Sequence, residues 1–195
     1  MIDQVLKFLA SQMDSYLQQQ QNNNSQNVIL GNVSQIGTGE DNGSLNNHLI
    51  ISLVNIEEDR ISRPVNNYVR LNQLSTPQVI YRNPPVFLNL EILFTANYSD
   101  YPSALLYLSY VIKFFQYKNV FTTLNSPDIP PSVNEIIFDL KTLSLQDLNN
   151  LWGILGSKYI PSVMYKARLL SISEDFNEGN AALINEINVN DKTII

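Results

Sequence analysis

The sequence predicts an α+β fold, a single domain in which a mixed or largely antiparallel sheet of about five strands is flanked by three helices. Three observations favour this class. Apolar residues recur with helical spacing in some segments and alternate as in strands in others. Three strand-like segments follow one another before the second helix, which is unlike a regular βαβ alternation. The 195 residues, of which 44% are hydrophobic, suit one domain.

The first predicted element is an amphipathic helix at the start of the chain. Its apolar residues are spaced three and four apart and form one stripe: Ile2, Val5, Leu6, Leu9, Met13 and Leu17. The tract "QQQQNNNSQN" (18–27) that follows is polar and of low complexity. It therefore predicts a loop after the helix.

Two strands are predicted next, and an irregular region follows them. The short segment "VILGNV" (28–33) is followed by a turn-rich connection and then by "HLIISLVNI" (48–56). The second strand is apolar enough to lie in the interior of a sheet. Residues 60–85 are expected to be irregular, because four prolines interrupt any long element there.

The clearest strand and the most apolar helix lie in the middle of the chain. In "VFLNLEILFTA" (86–96), Asn89 and Glu91 share one face while leucines and an isoleucine occupy the other. The segment "PSALLYLSYVIKFFQY" (102–117) predicts a helix that is apolar on nearly all sides. Such a helix must be covered, either by the sheet and loops of its own chain or on one face by another protein chain.

The last predicted elements are a strand at 133–140, a helix at 144–155 and a strand at 162–172. Ser144 followed three residues later by Asp147 resembles a capping box at the start of the helix. We therefore expect a domain over residues 1–172, followed by an acidic C-terminal arm at 173–195.

Composition excludes several classes of protein. The chain has no cysteine, which excludes disulfides, thiolate zinc sites and cysteine nucleophiles. Its net charge of −6 argues against non-specific nucleic-acid binding. No secretory signal and no apolar segment long enough to span a bilayer is evident, so we expect no direct membrane insertion and assembly in the cytoplasm.

The segment "SLVNIEED" (52–59) ends a strand with three consecutive acids, Glu57, Glu58 and Asp59. Glu57 and Asp59 would share a face and could contribute to a metal or acid/base site, but a solvated strand end is the simpler interpretation. His48 is the single histidine, and no nucleophile elbow, P-loop or dinucleotide fingerprint accompanies it. A hydrolase or ligand-binding domain using His48, Glu57 and Asp59 remains an alternative hypothesis.

Charges are also segregated along the chain. Between positions 60 and 90 every charged residue is an arginine, whereas the segment 174–195 carries five acids and one lysine. This pattern suits a solvated surface, and it also suits a head-to-tail ring in which the arginines of one subunit meet the acidic tail of the next.

Four stretches together resemble a known family. They are "MIDQVLKFLASQMDSYL", "SLVNIEED", "PPVFLNLEILFTANYSDYPSALLYLSYVIKFFQ" and "LSLQDLNNLWGILGSKYIPSVMYKARLL". In this order they are similar to the cap, or tail-terminator, proteins of phage-tail-like contractile injection systems of the antifeeding-prophage type. The resemblance covers about residues 1–172 and rests on the order of the motifs, none of which is catalytic.

The resemblance implies a structural, non-enzymatic protein that needs no cofactor or metal. Such terminators form a six-subunit ring on the inner tube and the sheath, stop polymerisation and hold the sheath end to the tube. The expected partners are therefore further copies of this chain, the inner tube protein and the sheath protein. An assembly chaperone or adaptor of such a particle is a second alternative. The candidate interface residues are Glu57, Glu58, Asp59, Arg60, Arg63, Arg70, Ile194 and Ile195.

Overall fold

The computed structural model describes residues 1–22, 24–37, 43–59, 68–71, 78–81, 86–172 and 180–182. The helices are α1 (Ile2–Gln21), α2 (Tyr101–Tyr117) and α3 (Leu145–Leu155), with a 3-10 turn at Val33–Gln35. The strands are β1 (Val28–Leu30), β2 (His48–Glu58), β3 (Tyr68–Leu71), β4 (Gln78–Tyr81), β5 (Val86–Asn97), β6 (Val120–Thr122), β7 (Glu135–Lys141), β8 (Ser162–Ile172) and β9 (Asn180–Ala182).

The main sheet has six strands in the order β1-β2-β5-β8-β7-β6. β1 runs parallel to β2, and every other neighbouring pair in this sheet is antiparallel. The predicted α+β class and mixed sheet are confirmed, with six strands in place of about five. β2 lies between β1 and β5, as its apolar sequence predicted.

Two parts of the strand prediction were wrong. The short strand β6 was missed, and β3 and β4 lie in the region that was expected to be irregular. The prolines of that region lie outside these four-residue strands in the sequence, so they limit the strands without excluding them. β3, β4 and β9 form a second, antiparallel sheet. β9 belongs to the segment that was predicted to be a C-terminal arm.

One face of the main sheet carries α1 and α2. The stripe predicted for α1 is buried there at Val5, Leu9, Met13 and Leu17, and the helix ends at Asn22, which adopts the left-handed conformation. From α2 the chain buries Ala104, Val111, Phe114 and Phe115. These side chains meet the inward residues of β2, β5, β7 and β8 in an aromatic core that includes Phe94, Phe121, Phe138 and Tyr165.

The opposite face of the sheet carries α3 over a smaller apolar cluster. Leu151 and Trp152 of the helix pack against Leu93 and Met164 of the sheet. The predicted cap is confirmed, because the Asp147 backbone N–H donates to Ser144 Oγ (3.1 Å), and the Ser144 hydroxyl donates to the Asp147 carboxylate (2.7 Å). α2 and α3 therefore lie on opposite faces of one sheet.

Candidate interaction surfaces

An ion pair links the acidic end of β2 to β8, near the middle of the sheet. Lys166 Nζ on β8 donates to Glu57 Oε2 at 2.8 Å. This hydrogen bond and the lysine charge lower the pKa of the Glu57 carboxyl from its ordinary value of 4.5, although partial burial opposes the shift. The Glu57 side chain is still 41% exposed, so it remains accessible to a partner.

Glu57 belongs to a row of six charged side chains that crosses four strands on the face that carries α3. Lys141 pairs with Glu91, and Arg168 pairs with Asp139. The strand register explains the row, because Lys166 lies opposite Glu91 on β5 and opposite Asp139 on β7. We name this set the charged row: Glu57, Glu91, Lys166, Asp139, Lys141 and Arg168.

A cleft of about 540 Å³ lies between the charged row and α3. Glu91 and Lys141 line it on the sheet side, and Asp147, Asn150 and Ile154 line it on the helix side. Both charges contributed by the sheet are already paired with each other. The sequence did place Asn89 and Glu91 on one face of β5, but their partners on β7 and β8 depend on a strand register that one sequence does not reveal.

The alternative catalytic set is not brought together by the fold. His48 begins β2 and Glu57 lies nine residues further along the same strand, which separates them by about 30 Å at about 3.3 Å per residue. His48 Nδ1 donates to the Asn46 carbonyl oxygen at 2.7 Å. Among the described residues, no three His, Asp or Glu side chains are placed to hold one metal ion.

The structure describes only some of the other predicted interface residues. Glu58 is the last residue of β2, and the Asp59 backbone N–H continues the pairing to the Phe87 carbonyl oxygen at 2.8 Å. Arg70 lies on β3, whose backbone alone is described. The remaining candidates, Arg60, Arg63, Ile194 and Ile195, lie outside the described residues. The interface role of all these residues stays a prediction.

The two edges of the main sheet are short. β1 and β6 have three residues each, whereas the four strands between them have 7 to 12. At the β1 edge, the Asp14 carboxylate of α1 accepts hydrogen bonds from the backbone N–H groups of Asn27 (2.7 Å) and Val28 (3.1 Å). A side chain of the same molecule thus occupies a position where an added strand would bind.

The outward face of α2 is apolar. Tyr101, Leu105, Leu106 and Ile112 of α2 are 44–62% exposed. On α3, Leu145 is 86% exposed and Ile154 is 84% exposed, but they lie on opposite sides of the helix, and the other exposed positions are polar or glycine. The outward face of α2 is not covered by any residue that the structure describes. The sequence predicted that α2 is apolar nearly all round, and the structure shows which side meets the sheet.

Comparison with known proteins identifies the family. Residues 4–186 match the family described as the Pvc16 N-terminal domain. The chain belongs to this family. No curated protein matches the sequence. The resemblance predicted from the four sequence stretches is confirmed at the level of the fold by solved structures of a terminator and a cap of contractile injection systems.

Two solved structures share the fold of this Pvc16 N-terminal domain. The sheath/tube terminator of the extracellular contractile injection system PVC, in its extended state, is 16% identical and aligns with a TM-score of 0.63. The alignment covers 100% of this chain and 64% of that chain. The tube-terminating cap of the anti-feeding prophage is 19% identical, with a TM-score of 0.51, and the alignment covers 73% of this chain and 48% of that chain. This chain thus spans less than two thirds of the length of either protein.

The apolar character of α2 does not indicate a membrane-spanning segment. In the ranges that the structure describes, none of the helices combines the length and hydropathy needed to cross a bilayer.

Proposed function

We propose that this chain ends the inner tube and the sheath of a contractile injection particle. Copies of the chain form a closed ring, of six subunits as the resemblance implies, which holds the sheath end to the tube and takes no part in catalysis. Membership of the Pvc16 N-terminal domain family over residues 4–186 carries the proposal. Assembly in the cytoplasm, followed by release or membrane anchoring of the finished particle, belongs to the same proposal.

The proposed mechanism is termination by edge satisfaction. A growing layer of a tube or sheath offers strand edges with unpaired N–H and C=O groups, to which the next layer adds. A terminator must bind such a layer and leave few unpaired N–H and C=O groups to which a further layer could add. The short edge strands of the main sheet fit this requirement, and so does Asp14, whose carboxylate already binds the N–H groups of Asn27 and Val28.

The second part of the proposal concerns the C-terminal arm. The closing residues Ile194 and Ile195 follow an acidic, asparagine-rich stretch and are suited to add as a strand to a neighbouring subunit. A chain that ends at Ala182 retains β9 and lacks residues 183–195. We expect this truncated chain to fold but to be lost from particles during purification. Normal capping by the truncated chain would remove the arm from the mechanism.

The experiment that tests the function is to count and locate the chain in purified, extended particles. Quantitative mass spectrometry should find a few copies per particle, and gold labelling of an epitope tag should mark one end only. A chaperone would be present during assembly and absent from the finished particle. Label distributed along the whole length would indicate a tube or sheath component, and either result would overturn the proposal.

A further inference from the structure

We propose that Asn125 closes the β6 edge of the main sheet, and that without its side-chain amide the β6 strands of two copies of this chain pair edge to edge. The inference rests on the proposed function, in which a terminator leaves few unpaired backbone groups. It adds the side chain that binds those groups at β6 and the partner that this side chain excludes, a second copy of the chain.

The register of β6 and β7 shows which backbone groups of β6 point away from the sheet. The Phe138 N–H donates to the Asn119 carbonyl oxygen at 2.8 Å, and Phe121, two residues further along β6, takes the equivalent position in the pairing. In an antiparallel pair, such hydrogen-bonded positions alternate with positions whose N–H and C=O groups point outward. Val120 and Thr122 are the outward positions, so their four backbone groups form the edge.

The chain turns back immediately after β6 and places Asn125 against this edge. Asn125 Nδ2 donates to the Val120 carbonyl oxygen at 3.0 Å, and the Thr122 N–H donates to Asn125 Oδ1 at 3.0 Å. The Thr122 carbonyl oxygen accepts from the backbone N–H groups of Asn125 (3.2 Å) and Ser126 (2.9 Å). Three of the four outward groups are thus bound within the turn, and a strand of another chain would need the same groups.

Neighbouring polar groups hold the Asn125 amide in this position. The Ser126 hydroxyl donates to Asn125 Oδ1 at 2.9 Å, and Lys118 Nζ donates to the Asn125 carbonyl oxygen at 3.0 Å. The turn itself is already closed by the backbone hydrogen bonds from Asn125 and Ser126 to Thr122. The side-chain hydrogen bonds to Val120 and Thr122 are therefore additional to what the turn requires, and their effect is to occupy the edge.

The opposite edge of the sheet, β1, is closed by different residues in the same way. The Asp14 carboxylate accepts from the Val28 N–H at 3.1 Å, and Gln26 Nε2 donates to the Val28 carbonyl oxygen at 3.2 Å. At both edges, side chains of the same subunit thus bind an N–H and a C=O group of the edge strand. Asp14 belongs to α1 and Asn125 to a turn after β6, so the local geometry of one turn does not account for the pattern.

Without Asn125, β6 has a sequence suited to strand pairing. Positions 120–123 read Val-Phe-Thr-Thr; β-branched and aromatic residues favour strands, and none of the four carries a charge that would oppose pairing. An antiparallel β6 strand of a second copy would present N–H and C=O groups that match those of Val120 and Thr122. Every copy carries this strand, so a second copy is the partner that an open β6 edge meets first. Such a contact uses the same surface on both copies and joins them in pairs.

Asn125→Ala in the full-length chain tests the closure. Sedimentation velocity should show a weight-average mass about twofold or more above that of the unmodified chain at the same concentration, because open β6 edges join copies in pairs. The matched control is Asn149→Ala, at an exposed position of α3 where the side chain has no hydrogen bond to any described residue. It should leave the mass unchanged. An unchanged mass for Asn125→Ala would overturn the inference.

A double variant distinguishes edge pairing from aggregation of a destabilised chain. Thr122→Pro removes the outward N–H of Thr122, and proline is tolerated on an edge strand where its nitrogen faces away from the sheet. Asn125→Ala with Thr122→Pro should therefore return the mass to that of the unmodified chain, although its melting temperature stays lower. Thr123→Lys, at the exposed position after β6, replaces Thr122→Pro if the proline variant does not fold, because a lysine opposes pairing at an edge. Association that persists in the folded double variant would overturn the inference.

The outcomes separate this inference from the function on which it rests. An unchanged mass for Asn125→Ala, in a chain that still marks one end of purified particles, would overturn closure by Asn125 and leave the proposed cap intact. Paired copies of Asn125→Ala in solution, with the unmodified chain absent from purified particles, would support the closure and remove the cap.

Discussion

α1 and α2 pack on the same face of the same sheet, yet their outward sides differ. The exposed positions of α1 are all polar, among them Asp3, Lys7 and Ser11. Those of α2 include Leu105 and several other large apolar or aromatic residues. Both helices bury a similar apolar stripe against the core, so the difference does not come from the folding of the single subunit.

The comparison indicates which surface meets water and which meets protein. A polar outward side is the usual arrangement for a helix on a soluble domain, and α1 follows it. A helix that keeps an apolar outward side exposes surface that is unfavourable in water unless another chain covers it. The comparison therefore predicts that α1 faces solvent and that another protein chain covers the outward side of α2.

The largest expected effect is a difference in stability between substitutions on the inward and outward sides of α2. Phe115 contacts Phe94, Phe138 and Tyr165, with ring centres 4.2–5.4 Å apart. Phe115→Ala should therefore lower the free energy of unfolding by about 3–5 kcal/mol. Leu105→Ala, on the outward side, should change it by less than about 0.5 kcal/mol. Urea titration of the isolated subunit measures both. A comparable loss from Leu105→Ala would show that the outward side already supports the fold.

An intermediate loss of stability is expected from a substitution on the side of α1 that faces β1. Asp14→Ala leaves two backbone N–H groups without their charged acceptor and should cost about 1–3 kcal/mol. Asp3→Ala, at an exposed position on the same helix, is the control and should leave the stability close to that of the unmodified chain. Both are measured by thermal unfolding. Equal effects of the two substitutions would mean that Asp14 does not hold the β1 edge.

The smallest expected effect on stability concerns the charged row. The pKa of Glu57 is lowered in the folded state, chiefly by its hydrogen bond with Lys166. Its contribution to stability is therefore fully present above about pH 4.5, the ordinary value, and is lost as the pH falls through the lowered pKa. Glu57→Gln should flatten this part of the stability profile.

The profile of Glu57→Gln is obtained from urea unfolding at a series of pH values between 7 and 3, in steps of about half a unit. Glu135→Gln on β7, whose carboxylate forms no ion pair with any described residue, is the matched control. An unchanged slope for Glu57→Gln would show that the Glu57–Lys166 pair contributes no stability in solution.

Elements with a strong local pattern were predictable from the sequence. The stripe of α1, the Ser144 cap of α3 and the alternation of β5 each follow from residues close together in the chain. Strands β3, β4 and β6 were missed because strands of three or four residues carry too little periodicity to be recognised.

The charged row and the outward faces of the helices could not be predicted from the sequence, because both depend on long-range structure. Lys166 meets Glu57 across 109 positions of sequence, and the pairing is fixed by the order and register of the strands. The apolar residues of α2 were evident, but the position of the sheet decides which of them face outward.

The most direct test of the cap function is the length distribution of particles, measured by electron microscopy with the gene for this chain intact and deleted. We expect uniform, extended particles when the gene is intact. Without it, particles should be overlong, ragged at one end or prematurely contracted, and the unmodified chain supplied in trans should restore uniform length. Particles of normal length and normal extended state in the deletion strain would contradict the proposal that this chain terminates the tube and the sheath.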